Sequence, residues 1–478
     1  MLFNSFEYFL FLPAVVLLYF LLPFRWRNPF LLIASYYFYM SWKWEFGFLM
    51  LFTSAANYFA GIKISTSANR KTKRLWLTLA IVASLGVLVY FKYANFFIAE
   101  AIALLKTLGI NARESYLKVI LPVGISFFTF QALSYTIDLY KGKMHLEKNF
   151  INFTLFVSFF PQLVAGPIER ASNLLDQFKK EQHFSSDRLI EGSKLVLWGL
   201  FKKVVIADRL ATYVEQIYAS PEIYGGSTLF LATFFFAFQI YCDFSGYSDI
   251  AIGSAHILGF RLMQNFNLPY LATSIKDFWH RWHISLSTWF ADYVYKPLGG
   301  NRASTVRWMF NILAVYLVSG LWHGANWTFI IWGGIFGALY LAEHAGDRLL
   351  RIAGAADFFY RSKTIHVVRV AVVFIAVLVS WVFFRADSMG DATGIVAKMF
   401  TGWNVMPFLG SSAFDTVLGL ALIILLWFIQ VLQYRGIVSI YMSPSGLSRP
   451  LRWAGYALML VMIAMLGVTS EQFIYFQF

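Results

Sequence analysis

Three stretches of this sequence place titratable side chains where acid–base chemistry could be done. His323 stands in "SGLWHGANWTF", residues 319–329, between a tryptophan and a glycine and inside a long apolar run. Histidine titrates near neutral pH and is costly to desolvate, so here it is either a core histidine with satisfied hydrogen bonds or a general base or acid. "DFWHRWHISLSTW", residues 277–289, sets His280 and His283 three residues apart, nearly on one helix face. "FQIYCDFSGYSDIAIGSAHILGF", residues 238–260, distributes Gln239, Asp243, Ser245, Ser248, Asp249 and His256 along a segment of spanning length. For Asp243 and Asp249 the first reading is pairing with a buried arginine or a helix end, since an isolated carboxylate in a span is rare without a partner. No metal is expected: there is no His-Glu-x-x-His pattern, and the single cysteine, Cys242, excludes a multi-thiolate site and an internal disulfide.

The elements that must hold these residues are set by composition. With 59% hydrophobic, 19% aromatic and 13% charged residues among 478, the chain has more apolar surface than a soluble core could bury. The apolar runs are continuous rather than alternating with a period of two, so the fold class is all-α: a polytopic integral membrane protein and not a barrel. Spanning segments are expected near 5–23, 29–62 (two, broken around "SWKWE"), 75–99, 119–140, 195–220, 228–258, 309–345 (two, meeting near His323), 366–385, 414–433 and 453–476, about twelve in all. With no repeat or low-complexity linker, residues 1–478 are read as one integral-membrane domain.

The formal charge of +14 does not indicate nucleic acid, because Lys and Arg cluster in short loops between spans. Arg25 and Arg27, "NRKTKR" at 69–74, Lys141, Lys143 and Lys148, the 348–369 segment and Arg435 to Arg452 are placed on the cytoplasmic side, which puts both termini outside. "FTLFVSFFPQLVAGPIER", 153–170, is broken by Pro161, Gly166 and Pro167 and reads as a re-entrant element. The stretch 267–302 carries Lys276, Asp277, His280, Arg281, His283 and Asp292 among aromatics and is expected at the cytoplasmic interface or lining a cavity.

There is no Walker loop, no dinucleotide glycine fingerprint and no GxSxG elbow, so ATP-driven transport, nicotinamide chemistry and serine-hydrolase chemistry lose support. What remains is a buried histidine acting as base or acid in a bundle open to a basic face. The basic and aromatic groups at 261–307 would suit a phosphate-bearing cytosolic donor. A transporter or lipid-linked polysaccharide flippase, and a non-catalytic scaffold of an export complex, are the rival classes.

The set "FFPQLVAGPIER", "GLFKKVVIADRL", "YCDFSGYSDIAIG", "NFNLPY", "DFWHRWHISLSTWFADYVYKPLGGNR", "SGLWHGANWTFIIWGG", "WVFFRADS" and the terminal "FIYFQF" closely resembles the membrane-bound O-acyltransferase family, and within it the branch of the alginate O-acetyltransferase membrane subunit. The resemblance implies a helical fold with a central funnel or tunnel. It places the family's nearly invariant histidine on His323, and the histidine of the RWHxSLS pattern on His283. These two are the candidate catalytic residues, with Trp322, Asn267, Asp277, His280 and Arg281 as candidate substrate-binding residues. Ala291 departs from the arginine expected in many relatives. The implied activity is acetyl transfer from acetyl-CoA, with no bound cofactor, across the bacterial inner membrane to a periplasmic acetyltransferase or carrier protein that acetylates an exported polysaccharide. The partners expected are therefore membrane lipid, that periplasmic protein and acetyl-CoA. On this reading His323 takes a proton from the acceptor hydroxyl and returns it to the leaving thiol, while His283 orients or polarises a reactant.

Overall fold

A computed structural model describes residues 1–110, 113, 116–164, 166–403, 406–439, 448–468 and 473. Among the described residues every regular element is a helix. The last five residues of the terminal "FIYFQF", residues 440–447 of the loop ending at Arg452, Ala165 of "FFPQLVAGPIER" and residues 469–472 and 474–476 of the expected final span lie outside the described residues.

Among the described residues seven helices are long and apolar enough to cross a membrane: Arg70–Thr107, Gly226–Ile257, Thr305–His323, Trp327–Ile352, Lys363–Arg385, Ala413–Tyr434 and Arg449–Leu466. They fall on seven of the twelve segments expected from sequence. At three others the helices Phe6–Leu21, Phe24–Met40 and Ile125–Tyr140 have only 16, 17 and 16 residues. Phe46–Thr66 is longer but buries the polar Thr53, Ser54 and Asn57. The segment near 195–220 holds the buried Lys202 and Lys203. The chain folds into two compact units, Met1–Val196 with Ile250–Met263, and Leu197–Asp249 with Gln264–Phe478.

In the first unit, polar side chains join helices that lipid alone would not hold together. Asn57 donates to Ser84 Oγ at 2.8 Å and accepts from Thr136 Oγ1 at 2.7 Å, tying three helices at one buried amide. The stretch read as re-entrant is a broken, buried helix, Phe150–Ser158 then Phe160–Leu163. At the break the Phe160 N–H donates to Ser35 Oγ at 3.1 Å instead of continuing the helix. The Phe156 carbonyl left over is satisfied by side-chain amides, Gln162 Nε2 at 2.9 Å and Gln131 Nε2. Irregular backbone is thus carried at depth because glutamine replaces the missing helical donor. Gly192 and Gly253 meet here without side chains: a Cβ on either would lie 2.6 Å from the other's carbonyl oxygen.

The second unit begins with the end of the helix Ser186–Leu200, from Leu197, which continues through a π-helical turn, Phe201–Ala207, into Asp208–Tyr218. Gly246 of the long helix Gly226–Ile257 fits against this run, where a Cβ would lie 2.7 Å from the Gly199 carbonyl and 3.2 Å from Lys203 N. Helices Thr305–His323 and Trp327–Ile352 form a hairpin of similar closeness, with a Cβ on Gly320 or Gly333 set 2.2 Å from the carbonyl of Phe329 or Tyr316. Small residues at such crossings bring backbones close enough for dispersion to hold them.

Gly246→Val should therefore abolish folding in this unit, read as loss of monodisperse protein after detergent extraction. Gly86→Ala, at a helical glycine with nothing within 4 Å of the added Cβ, should be neutral or raise thermal stability by about 0.5–1 kcal/mol.

Candidate active site

All the groups of the site belong to the second unit. Its foundation is the π-helical turn. Consecutive residues on an α-helix diverge by about 100°, yet here the widened turn buries both Lys202 and Lys203, which are 3% and 4% exposed. Lys202 Nζ lies 2.7 Å from Asp249 and donates to Ser245 Oγ at 2.9 Å. Lys203 Nζ lies 2.7 Å from Asp243 and 2.8 Å from Asp208. The expected partner of Asp243 and Asp249 was a buried arginine or a helix end; the partners are these lysines. Sequence reading missed them although "GLFKKVVIADRL" carries the signal, two adjacent lysines within an apolar run and an aspartate five residues on.

The residue after Asp243 reaches one of the two candidate histidines. The Phe244 ring meets the His283 imidazole edge-on, centroids 4.7 Å apart. His283 itself is fully buried and sits between the short helices Ile275–Arg281 and Ile284–Phe290 with φ 42°, ψ 54°. A left-handed conformation in a residue with a Cβ costs about 1–2 kcal/mol. The surrounding backbone imposes it: Asn267 N–H donates to the Arg281 carbonyl at 2.9 Å and Ile284 N–H to the Asn265 carbonyl at 3.0 Å, so the chain before and after His283 is pinned to "NFNLPY". Burial pushes the His283 pKa down to about 3, leaving the imidazole neutral at physiological pH.

His323 is the last residue of its helix, followed by Gly324, where a Cβ would strike the Phe329 ring at 2.2 Å. The glycine of the WHG triplet is there for space, since its own φ of −159° is open to any residue. The His323 ring packs edge-on against Trp322, Trp332 and Phe384 at 4.9, 5.0 and 5.4 Å. Its centroid lies 6.4 Å from that of His283, and Trp322 lies 5.8 Å from His283 on the same side. Trp282, Trp332 and Trp381, all buried, continue the wall. Two histidines 40 positions apart in sequence thus share one aromatic box, as His323 minus His283 gives.

Beside this box is a cavity of about 490 Å3 lined mostly by apolar side chains, with Lys276, Trp279, His280, Ile284, Tyr316 and Ser319 among them. Ile284 follows His283 in the chain and Ser319 lies one helical turn before His323, so the cavity wall is continuous with the elements that carry both imidazoles. Among the described residues the buried Trp279 indole N–H has no hydrogen-bond partner.

The other candidates divide. His280 lines the cavity and Trp322 belongs to the histidine box. Asp277, Arg281 and Asn267 are gathered on one another instead. Asp277 closes a capping box, accepting from Thr273 N–H at 3.1 Å while its own N–H donates to Ser274 Oγ at 2.9 Å. Its second oxygen accepts from Arg281 Nε at 2.8 Å, and Arg281 in turn donates to the Asn267 carbonyl at 3.3 Å. These three brace the turn that presents His283. His256 lies in the first unit, 3.1 Å from Glu191. Of the two tryptophans flanking the WHG glycine, Trp327 is half exposed at a helix start. Phe473 of the terminal motif is buried against Tyr247 and Phe244 at 4.7 and 6.1 Å.

Among the described residues, helices long and apolar enough to cross a membrane and a buried histidine pair define a polytopic membrane protein with groups suited to acid–base chemistry. The profile of the MBOAT, membrane-bound O-acyltransferase family matches residues 76–384, and the chain belongs to that family. It is similar to the "probable alginate O-acetylase AlgI" of Azotobacter vinelandii, 41% identical over 439 residues that cover 91% of this chain and 85% of that protein. A peptidoglycan O-acetyltransferase of Helicobacter pylori is 35% identical over 422 residues, 82% of this chain and 78% of its own. A teichoic acid D-alanyltransferase of Bacillus subtilis is 31% identical over 225 residues, 44% of this chain and 56% of its own. The protein is an O-acyltransferase embedded in a membrane, and the transporter and scaffold readings give way.

Two outcomes follow from the buried charges and the neutral imidazole. Lys203→Met leaves Asp243 and Asp208 without their cation and should destabilise the protein by about 3–5 kcal/mol, whereas the triple change Lys203→Met, Asp243→Asn, Asp208→Asn should recover much of the loss in a thermal-unfolding assay. A histidine whose folded pKa lies below its unfolded value stabilises fully above about pH 6.5 and less as the pH falls toward 3. Wild type should accordingly lose stability between pH 7 and 5 with a steeper slope than His283→Gln, by up to about 1.4 kcal/mol per pH unit.

Proposed function

We propose that this enzyme takes acetyl from acetyl-CoA on the cytosolic side of the bacterial inner membrane and passes it outward for O-acetylation of an exported polysaccharide, with both termini periplasmic. The observation that carries the mechanism is the pair of buried imidazoles with centroids 6.4 Å apart in one aromatic box. That spacing lets them engage two ends of one reacting group. His323 removes the proton from the acceptor hydroxyl as its oxygen attacks the thioester carbonyl. The C–S bond breaks, and the proton returns to the leaving thiolate to give free CoA. His283, neutral by burial, donates a hydrogen bond to the carbonyl oxygen as charge develops there. The tryptophan wall keeps water from the thioester, which would otherwise be lost to hydrolysis.

The basic Lys276 and His280 on the cavity beside the box suit the charged part of the donor, with Trp322 against the acetyl group. The acceptor is read as a hydroxyl on alginate or on a periplasmic acetyltransferase or carrier protein that serves it. The likeness to a relative named as a probable alginate O-acetylase supports alginate as the polymer.

In lipid nanodiscs with radiolabelled acetyl-CoA, His323→Ala should lower thiol release by about 100-fold or more at unchanged protein level. Label should reach the polymer only when the periplasmic partner is added. Full release by His323→Ala would remove the histidine from the mechanism.

A further inference from the structure

The turn that carries His283 is held largely from one residue. Asn265 is 1% exposed, and its Oδ1 accepts from Ser285 Oγ at 2.6 Å and from the Ser285 N–H at 3.4 Å. Its Nδ2 donates to Ser248 Oγ at 3.3 Å, on the helix that also bears Asp243 and Phe244. Its backbone carbonyl accepts from the Ile284 N–H at 3.0 Å. The two residues that follow His283 are therefore both bonded to Asn265, and Asn265 is itself bonded to the long helix. Between these fixed points the backbone adopts φ 42° at His283, and a second non-glycine residue, Leu268, stands at φ 49° in the same pair of segments. These are the two left-handed non-glycine residues among the described residues. Such conformations persist only where the surroundings over-determine them, and they gather where a side chain must point in one direction.

We propose that Asn265 is the positioning residue for His283: through Ser285, Ile284 and Ser248 it fixes the left-handed turn from which the imidazole meets His323. The proposal rests on His283 taking part in acyl transfer. A carboxamide is suited to the place because it accepts from Ser285 and donates to Ser248 without carrying charge. Aspartate would lose the donor and bring an ionised group among side chains that are 0–1% exposed. An aliphatic residue would lose all three side-chain bonds, to Ser285 Oγ, the Ser285 N–H and Ser248 Oγ. The link to Ser248 also places His283 in register with Phe244, which lies four residues earlier on the same helix and packs on the imidazole. Asn265 thus sets both the backbone beneath the ring and its distance from the ring's neighbour.

The test is a kinetic cycle in nanodiscs with acetyl-CoA, using Asn265→Ala, His283→Ala, the double variant and Ser285→Ala. Asn265→Ala should lower kcat about tenfold or more while KM for acetyl-CoA changes about twofold or less. The double variant should be no slower than His283→Ala alone, because a positioning residue has nothing left to position. Ser285→Ala, which removes a single donor to Asn265, should show a smaller loss of the same kind, and it carries the test if Asn265→Ala does not accumulate. Thr233→Ala, which breaks a buried 2.9 Å bond with Tyr218 elsewhere in the unit, should leave kcat unchanged. A double variant slower by the product of the two single losses, or an Asn265→Ala enzyme with wild-type kcat, overturns the proposal while leaving His283 in the mechanism. A fully active His283→Ala enzyme removes His283 from the mechanism and the proposal with it, and that single variant alone reveals which of the two has failed.

Discussion

An ammonium group taken out of water must be met by a counter-charge where it stands, and two adjacent ones need counter-charges on two sides. Lys202 and Lys203 impose this on the second unit. A regular helix would point them apart, so the backbone widens into a π-helical turn, and three aspartates, Asp208, Asp243 and Asp249, are drawn to them. The approach is possible only because Gly246 carries no side chain at the contact, where a Cβ would lie 2.7 Å from the Gly199 carbonyl oxygen. The turn leaves its mark on the backbone as well: the Val204 carbonyl accepts from Val468 N–H at 2.9 Å, which fixes the chain after the last described helix to the same place. Lys202 with Asp249 and Lys203 with Asp243 thus tie the long helix to the π-helical turn at two points and fix its register.

That register is passed directly to the site. Asp243 precedes Phe244, whose ring lies against His283, and Ser248 one turn later bonds the Asn265 amide. Phe473 closes the far side of Phe244. The imidazole is therefore positioned by a relay that starts at buried charge and ends in ring contacts. A one-residue slip of the helix would break all of these contacts together. Interiors packed this densely do not deform smoothly, which makes such a relay rigid enough to hold the two imidazoles at a set separation.

How much of this was legible in sequence depends on how local each feature is. The all-helical class and seven of the spans follow from long apolar runs, which no tertiary contact can disguise. The five remaining segments carry helices too, but these are short or bury polar side chains, and hydropathy does not distinguish such a helix from a long apolar one; Phe46–Thr66, with Asn57 at a three-helix joint, is the plainest case. The histidine pair was reachable through the motifs around His283 and His323, and the structure does bring them together. Asp277 and Arg281 looked like substrate ligands because charged residues among aromatics suggest a site. Their capping box could have been read from "SIKD", serine followed three residues later by a carboxylate. The π-helical turn and the Asn265 bonds were beyond sequence, since both depend on partners more than 15 positions away.

The two histidines differ in what surrounds them, and the difference fits a division of labour. The backbone of His283 is held in a left-handed turn by hydrogen bonds on either side, and burial keeps its imidazole neutral. A neutral imidazole in a fixed orientation can donate a hydrogen bond to a developing oxyanion without reorganising during the reaction, which is where most of the electrostatic benefit of a dry site lies. His323 ends a helix against aromatic edges, beside a glycine whose missing side chain lets Phe329 close over it. In the proposed mechanism His323 must accept a proton and give it back, which needs room for two reactants in turn. The aromatic edges around the imidazole exclude water from that exchange.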